Sequence, residues 1–356
     1  MGVKFYRGCM MTTSALIEPV SLAGLPLTSQ FVMAPMTRAQ SPCGQPTERT
    51  AAYYRRRAEN GVGLIITEGV LIDHPSAGHE TDVPRMHEAG WRRVTDEVHA
   101  AGGKIAAQLW HLGSQREPVD GVLAWTPSAV PEPGRPATHA MAGRDFPVLL
   151  DAYARAARAA VSAGFDAVEI HAAHGYLLDE FLWPFTNRRT DRYGTDRAAF
   201  PAEVIRAVRA EIPSSMPLIV RFSQFKERDY AARIAETPDE LGEILTSFAS
   251  AGADVLHASQ RRFWEPAFEG SPLNLAGWAK RLTGLPSITV GSVGLTRDFV
   301  GSGRMTELIE RRRRGEYDLI ALGRVLLGNP AWVRLADEGR LAEINDYRKT
   351  DEDQYW

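Results

Sequence analysis

Two imidazoles and a phenol leave one short stretch of this chain together, His171-Ala172-Ala173-His174-Gly175-Tyr176. Such a set can grip a polar atom with two donors and deliver a proton from a third group. The stretch ends the run Ala163-Gly164-Phe165-Asp166-Ala167-Val168-Glu169-Ile170. Residues 165–171 read as a buried strand: short, apolar, β-branched at Val168 and Ile170, and opened by Gly164. Alternation along a strand puts Ala167, Glu169 and His171 on one face. Taken alone, H-x-x-H reads as a hydrogen-bonded histidine pair at a strand terminus. The other strand ends change that reading.

Seven more runs share the character of the first: 31–35, 63–67, 104–109, 218–222, 253–257, 287–290 and 318–322. Helical periodicity separates most of them, over 47–60 with Thr47 as N-cap, 88–101, 151–163, 197–211, 238–251 and 275–281. A last helix ends in Arg311-Arg312-Arg313-Arg314, read as a solvated helix end. Alternating β and α elements specify a parallel sheet, and eight of them fit a closed (β/α)₈ TIM barrel of the α/β class. An open doubly wound sheet is the alternative, but no G-x-G-x-x-G follows the first strand. The expected organisation is a single domain over residues 1–356, with 1–16 as a candidate extension. Two connections are far longer than usual, 113–147 and 175–196. Both follow strands, so both belong to the C-terminal face, where barrels build active sites.

The 356 residues carry a net charge of −3, which argues against a nucleic-acid or anionic-membrane partner. Only Cys9 and Cys43 are present, so no disulfide framework is expected. No apolar run approaches spanning length, and no signal-peptide core opens the chain. The expectation is a cytoplasmic protein, monomeric or homo-oligomeric, whose partners are small molecules.

The strand ends supply a consistent set. The first ends in Ala34-Pro35-Met36-Thr37, the third delivers Gln108, and the fifth delivers Arg221. The seventh ends in Gly291-Ser292-Val293-Gly294 and the eighth in Gly323-Arg324. Glycines let backbone N–H groups approach a ligand, and the loops after strands seven and eight commonly hold phosphate. Arg324 adds a charge-assisted partner. Arg221 has a competing reading as a buried ion pair with Glu169. Together the set outlines an elongated anion-tailed ligand, with an amide and a cation around its polar ring.

Several stretches resemble a known family: Ala34-Pro35-Met36-Thr37-Arg38, Gln108-Leu109-Trp110-His111, Glu169 to Leu178, Arg188 to Gly194, and Ala321-Leu322-Gly323-Arg324. In this order they are similar to the signatures of the Old Yellow Enzyme family, FMN-dependent ene-reductases on a TIM barrel. The resemblance runs from about Ile17 to Trp332. It implies that Ala34, Pro35, Met36, Thr37, Gly69, Gln108 and Arg221 surround the flavin ring of a non-covalent FMN, and that Gly291, Ser292, Val293, Gly294, Gly323 and Arg324 hold its phosphate. It further implies that His171 and His174 bind the activating oxygen of an α,β-unsaturated carbonyl or nitro compound. Tyr176 is then the proton donor, and NADPH or NADH the hydride source. Trp110 and Trp264 are candidate pocket walls, and no metal is expected.

The chain departs from the family pattern in places. Many members carry Asn where this chain has His174. Gly113-Ser114 stands where Gly-Arg is usual, and Arg221-Phe222-Ser223-Gln224 replaces a proline-containing ending. The alternatives are an FMN barrel with another reductive reaction and a non-catalytic flavin sensor. Two cysteines cannot supply the four ligands of an iron–sulfur cluster. A zinc hydrolase would use His171 and His174, but no H-E-x-x-H helix is present.

Overall fold

A computed structural model describes residues 16–129, 137–296 and 298–355. Residues 1–15 of the candidate extension 1–16, and part of the first long loop, 130–136, lie outside them. Eight parallel strands close on one another: β1 (Phe31–Met33), β2 (Leu64–Leu71), β3 (Lys104–Trp110), β4 (Ala167–His174), β5 (Leu218–Lys226), β6 (Val255–Ser259), β7 (Ser287–Val290) and β8 (Leu319–Leu322). Each pairs with the next, and β8 returns to β1 with Ile320 opposite Phe31 and Leu322 opposite Met33. Helices follow the strands: α1 (Glu48–Glu59), α2 (Glu88–Ala100), α3 (Asp145–Ser162), α4 (Ala199–Glu211), α5 (Pro238–Ser250), α6 (Leu275–Thr283), α7 (Arg304–Arg313) and α8 (Trp332–Asp337). This is a (β/α)₈ TIM barrel.

The strands read as nearly continuous apolar runs because both of their faces are buried. One face fills the barrel with Val32, Leu64, Ile66, Ala106, Ala167, Ile219, Val255, Ile288, Leu319 and Ala321. Leu22 and Leu27, from the hairpin Val20–Leu22/Leu25–Leu27, join this interior cluster. The other face packs under the helices around Tyr54, Trp91, Tyr153, Phe200, Phe248 and Trp332. Thr47 caps α1 through a reciprocal pair: its side chain accepts from the Thr50 N–H, and the Thr50 hydroxyl accepts from the Thr47 N–H.

Two expectations need correction. Helix α3 begins at Asp145, six residues before the expected start, because Phe146 and Leu149 add a turn to its buried face. Pro147 sits in the first turn, where a missing N–H costs no helical bond. The arginine run is not uniformly solvated. Arg311 is buried against Glu307 and Glu316 and also donates to the Pro272 carbonyl, whereas Arg313 and Arg314 are exposed.

The two long connections brace each other on the C-terminal face. Arg189 donates to the carbonyls of Pro127 (2.7 Å) and Met141 (2.6 Å). Within the first loop, short strands Trp125–Thr126 and His139–Ala140 pair, and His139 Nε2 meets Asp145 Oδ2 at 2.7 Å. Beneath the second loop lies a buried ion pair, Lys226 Nζ to Asp179 at 2.6 Å, with the two side chains 2% and 0% exposed. It ties the end of β5 to the helix Leu177–Leu182 that follows Tyr176.

This pair yields a stability prediction. Asp179→Ala leaves a buried ammonium without its partner, so it should cost about 3–5 kcal/mol in urea unfolding. A second change, Lys226→Met, should recover most of that loss. A single variant as stable as the parent would show that the pair does not secure the loop.

Candidate active site

Polar strand ends surround a cleft at the C-terminal mouth of the barrel. It has two lobes, of about 610 and about 960 Å³. Both are lined by Pro35, Met36, His174, Arg221, Glu227 and Arg324. The smaller lobe runs to Gly291, Ser292, Val293, Gly323 and Arg324; the larger holds Thr37, Gly69, Gln108, Trp110, His171 and Tyr176. Ala34 lines the smaller lobe. Sequence-expected residues from seven of the eight strand ends thus meet at one opening, all but that of β6.

Two of them do not. Gly294 lies behind the opening with a left-handed φ of 69°, and a Cβ there would come within 2.7 Å of the Trp332 ring. Trp264 lines neither lobe; it packs edge-on to Phe263 and lies under the Arg304 guanidinium, 4.5 Å from the ring centroid. Its apparent availability as a pocket wall is absorbed by that surface packing.

A buried carboxylate organises the floor. Glu169 accepts from Gln108 Nε2 at 2.8 Å and pairs with His257 Nδ1 at 2.6 Å, and it is fully buried. Gln108 therefore has its carbonyl oxygen left for the cleft. Arg221 is buried beside this group but forms no hydrogen bond with Glu169; its nearest partner is Ser259 Oγ at 3.5 Å, and its Nε has none. Burial lowers the Arg221 pKa and the Glu169 charge opposes that, leaving a cation that faces the cleft.

His171, Trp110 and Tyr176 form an aromatic corner. Tyr176 meets both other rings edge-on at 4.9 Å, and Trp110 lies nearly parallel to His171 at 6.3 Å. Gly69 makes room for Trp110, because a Cβ there would collide with its ring. His171 Nδ1 accepts from the Ala173 N–H at 3.3 Å, which leaves the proton on Nε2. His174 Nε2 lies 2.8 Å from Ser259 Oγ; if the hydroxyl donates, Nδ1–H is free to donate to a ligand. Burial first and the Arg221 charge second hold both imidazoles well below their ordinary pKa, hence neutral. Burial raises the Tyr176 phenol, aided by Glu227, which accepts its hydrogen bond at 3.3 Å.

The far end fits an anion. Gly291 has no room for a Cβ, which would lie 2.7 Å from the Gln260 carbonyl, and Ser292 turns with φ 54°. Arg261, Arg262 and Arg324 line that lobe. An elongated group with a phosphate tail and a polar ring matches this donor set, with Arg324 and the Gly291–Val293 turn at one end and Gln108 and Arg221 at the other. The zinc reading needs more ligands than the histidine pair supplies. Among the described residues, no group of three His, Cys, Asp or Glu is placed to hold a metal ion.

Residues 15–343 match the model of the NADH:flavin oxidoreductase / NADH oxidase family. The chain belongs to that family. It is 32% identical over 367 residues to 12-oxophytodienoate reductase 7 of rice, covering 94% of this chain and 90% of that one. It is 31% identical to NADPH dehydrogenase of Bacillus subtilis, covering 92% and 96%. NADH oxidase of Thermoanaerobacter brockii is 32% identical, and this chain spans about half its length (91% of this chain, 50% of that one). Among solved structures, morphinone reductase in complex with tetrahydroNAD superposes with a TM-score of 0.81 at 29% identity, over 95% of this chain and 93% of that one. The Old Yellow Enzyme homologue of Zymomonas mobilis gives 0.80 at 28%, over 95% and 96%. The resemblance to Old Yellow Enzymes read from the sequence is thus shown. No helix among the described residues is long and apolar enough to cross a membrane.

Several lining residues escaped the sequence reading: Gln115, Phe225, Glu227, Tyr230, Ser259 and Arg261. Ser259 and Phe225 sit on strands that continue past their apolar runs, and Glu227 directly follows one. The only sequence signal was the alternation continuing through polar residues.

The buried imidazoles give a pH prediction. His171 and His174, together with His111, whose burial pushes its pKa down to about 3, stay neutral in the folded state. The unfolded chain binds their protons below about pH 6.5, so stability is present above that pH and lost below it, by up to about 1.4 kcal/mol per pH unit for each. Imidazole ¹⁵N shifts of the cleft pair should keep neutral values down to about pH 5.5. Protonation of either near pH 6.5 would contradict this picture.

Proposed function

We propose that the chain uses non-covalent FMN to pass hydride from NADPH or NADH to the C=C bond of α,β-unsaturated carbonyl or nitro compounds. One observation carries the reading: His171, His174 and Tyr176 share a cleft whose other end is shaped for an anion, with Arg221 lining both lobes. Bound FMN would take hydride from the nicotinamide and supply it to the substrate's β-carbon. Arg324 and the Gly291–Val293 turn would hold the cofactor's phosphate, and Gln108 and Arg221 its ring. Arg221 there stabilises negative charge, the electronic tuning a protein supplies.

His171 Nε2–H and His174 donate to the substrate's carbonyl or nitro oxygen and so stabilise the charge that develops on it. Neutral imidazoles suit this, because they donate without giving up their protons. Tyr176 protonates the α-carbon. Its raised pKa keeps the phenol loaded at neutral pH. Trp110 packs against Tyr176 and His171 and shapes the space between them.

The purified protein should be yellow and release FMN on denaturation. A charged hydrogen bond is worth roughly 1.5–3 kcal/mol, so Arg324→Ala should weaken FMN affinity by about one to two decades. Titration of apoprotein with FMN measures this, and protein that cannot be reconstituted with FMN would end the reading.

Tyr176→Phe should separate the half-reactions. Flavin reduction by a nicotinamide needs no proton from a tyrosine and should survive. Re-oxidation by an enone should slow by about 10²–10⁴-fold, the usual worth of a positioned acid. Stopped-flow traces decide it: unchanged enone re-oxidation would remove Tyr176 from the donor role.

A further inference from the structure

The reach of Glu227 into the cleft is built by the fold. Its backbone N–H donates to the His174 carbonyl at 3.3 Å, so the residue after β5 is stitched to the end of β4. One residue earlier, Lys226 is clamped to both oxygens of Asp179, and Asp179 Oδ2 also accepts from the Gly175 N–H at 2.7 Å. Gln115 Nε2 donates to the carbonyls of His174 and Gly175, each at 3.2 Å. The backbones carrying Tyr176 and Glu227 are therefore held together from three sides. Their side chains meet as the Tyr176 hydroxyl donates to Glu227 Oε2. Glu227 lines both lobes yet is exposed, so one end of this pair touches the cleft and the other touches solvent.

We infer that Glu227 is the second station of the proton path, carrying protons from solvent to Tyr176. This rests on the reading of Tyr176 as the donor. As the α-carbon–H bond forms, the Tyr176 O–H bond breaks. The phenolate oxygen takes the proton of the Glu227 carboxylic acid, and the carboxylate takes one from water at the cleft mouth. Proton and charge balance, and the hydride accounts for both electrons. Glu227 touches no reacting carbon and acts through the tyrosine, as a positioning and loading residue.

The surroundings allow the acid form. Desolvation by the cleft walls raises the Glu227 pKa above the ordinary carboxylate value, and the Tyr176 hydrogen bond and Arg221 oppose it. The charges that act on the pair are Arg221 on β5 and Glu80 in the loop after β2; Arg38, His79, His171, His174, Arg324, Glu352 and Asp353 line the same lobe, and Arg261 and Arg262 the smaller one. Lys226 is spent on Asp179. The raised pKa extends the acid form to higher pH than an ordinary carboxylate allows, so delivery strengthens as pH falls and weakens as it rises through that pKa.

The test uses the FMN-loaded protein, reduced anaerobically and then re-oxidised in the stopped flow by cyclohexenone or by a quinone, from about pH 5.5 to about pH 9. The enone-to-quinone rate ratio cancels general damage, since quinone oxygens take protons from water. In the parent the ratio should rise toward acid. In Glu227→Gln that rise should vanish and the ratio should fall roughly tenfold at the acid end, a fraction of what a positioned acid supplies. Tyr176→Phe/Glu227→Gln should be no slower than Tyr176→Phe, because both lie on one path. Glu227→Gln with the parent's pH profile, beside a slow Tyr176→Phe, overturns the role of Glu227 alone. A Tyr176→Phe variant as fast as the parent overturns the donor reading itself, and this inference with it.

Discussion

The cleft depends on one buried carboxylate. Glu169 is fully buried on β4, and burying a charge is costly unless it is paired and hydrogen-bonded. Gln108 reaches it from β3 and His257 from β6, and the Arg221 charge lies close on β5. Four neighbouring strands are thereby locked at the level where their side chains enter the cleft. The lock also decides orientation. An amide that must give its N–H to a carboxylate below has only its oxygen for a ligand above. An arginine whose charge is compensated from below can be buried and still keep an unpartnered N–H. Removing Glu169 would leave three polar groups to find other partners, each at roughly 1–3 kcal/mol.

A second constraint brings the histidines together. Positions three apart on a regular strand point to opposite faces, so His171 and His174 should not share a site. The pairing of β4 with β5 shifts register between Ala172 and His174, and His174 adopts a left-handed φ of 66°. That conformation costs a residue with a Cβ of order 1–3 kcal/mol. Surrounding bonds hold it: the His174 N–H donates to Ser223 Oγ at 3.0 Å, and its ring meets Ser259. The irregular strand end is what brings the two imidazoles of H-x-x-H into one cleft.

The barrel was legible because its strands are buried on both faces and therefore written in apolar, β-branched residues. All eight runs became strands. The site was legible to the extent that it occupies the last two residues of a run, as Gln108 and Arg221 do. It was illegible where strands continue through polar residues, as with Phe225 and Ser259, since a polar residue after an apolar run looks like a loop. The start of α3 was hidden by Pro147, which ends helices in their interior but not in their first turn. Trp264 misled for the opposite reason: an aromatic near a strand end suits a pocket wall and a surface stack with Arg304 equally well. Only three-dimensional placement separates those two.

The family resemblance sets His174 where asparagine is common, and the electrostatics show how a histidine there can stay uncharged. An asparagine donates at every pH, whereas an exposed histidine changes charge near neutrality. Here burial and the adjacent Arg221 charge both penalise the imidazolium and hold the His174 pKa well below its ordinary value. The same cation and the same burial act on His171. With both imidazoles neutral, the oxygen grip proposed for them has no charge change of its own to impose. In the proposed mechanism, pH dependence of carbon protonation then enters through a group that is open to solvent and bonded to Tyr176. Glu227 alone among the groups hydrogen-bonded to Tyr176 here meets both conditions among the described residues. The fold thus separates the two electrostatic tasks: a buried floor that keeps its charges fixed, and a rim where one proton can be exchanged.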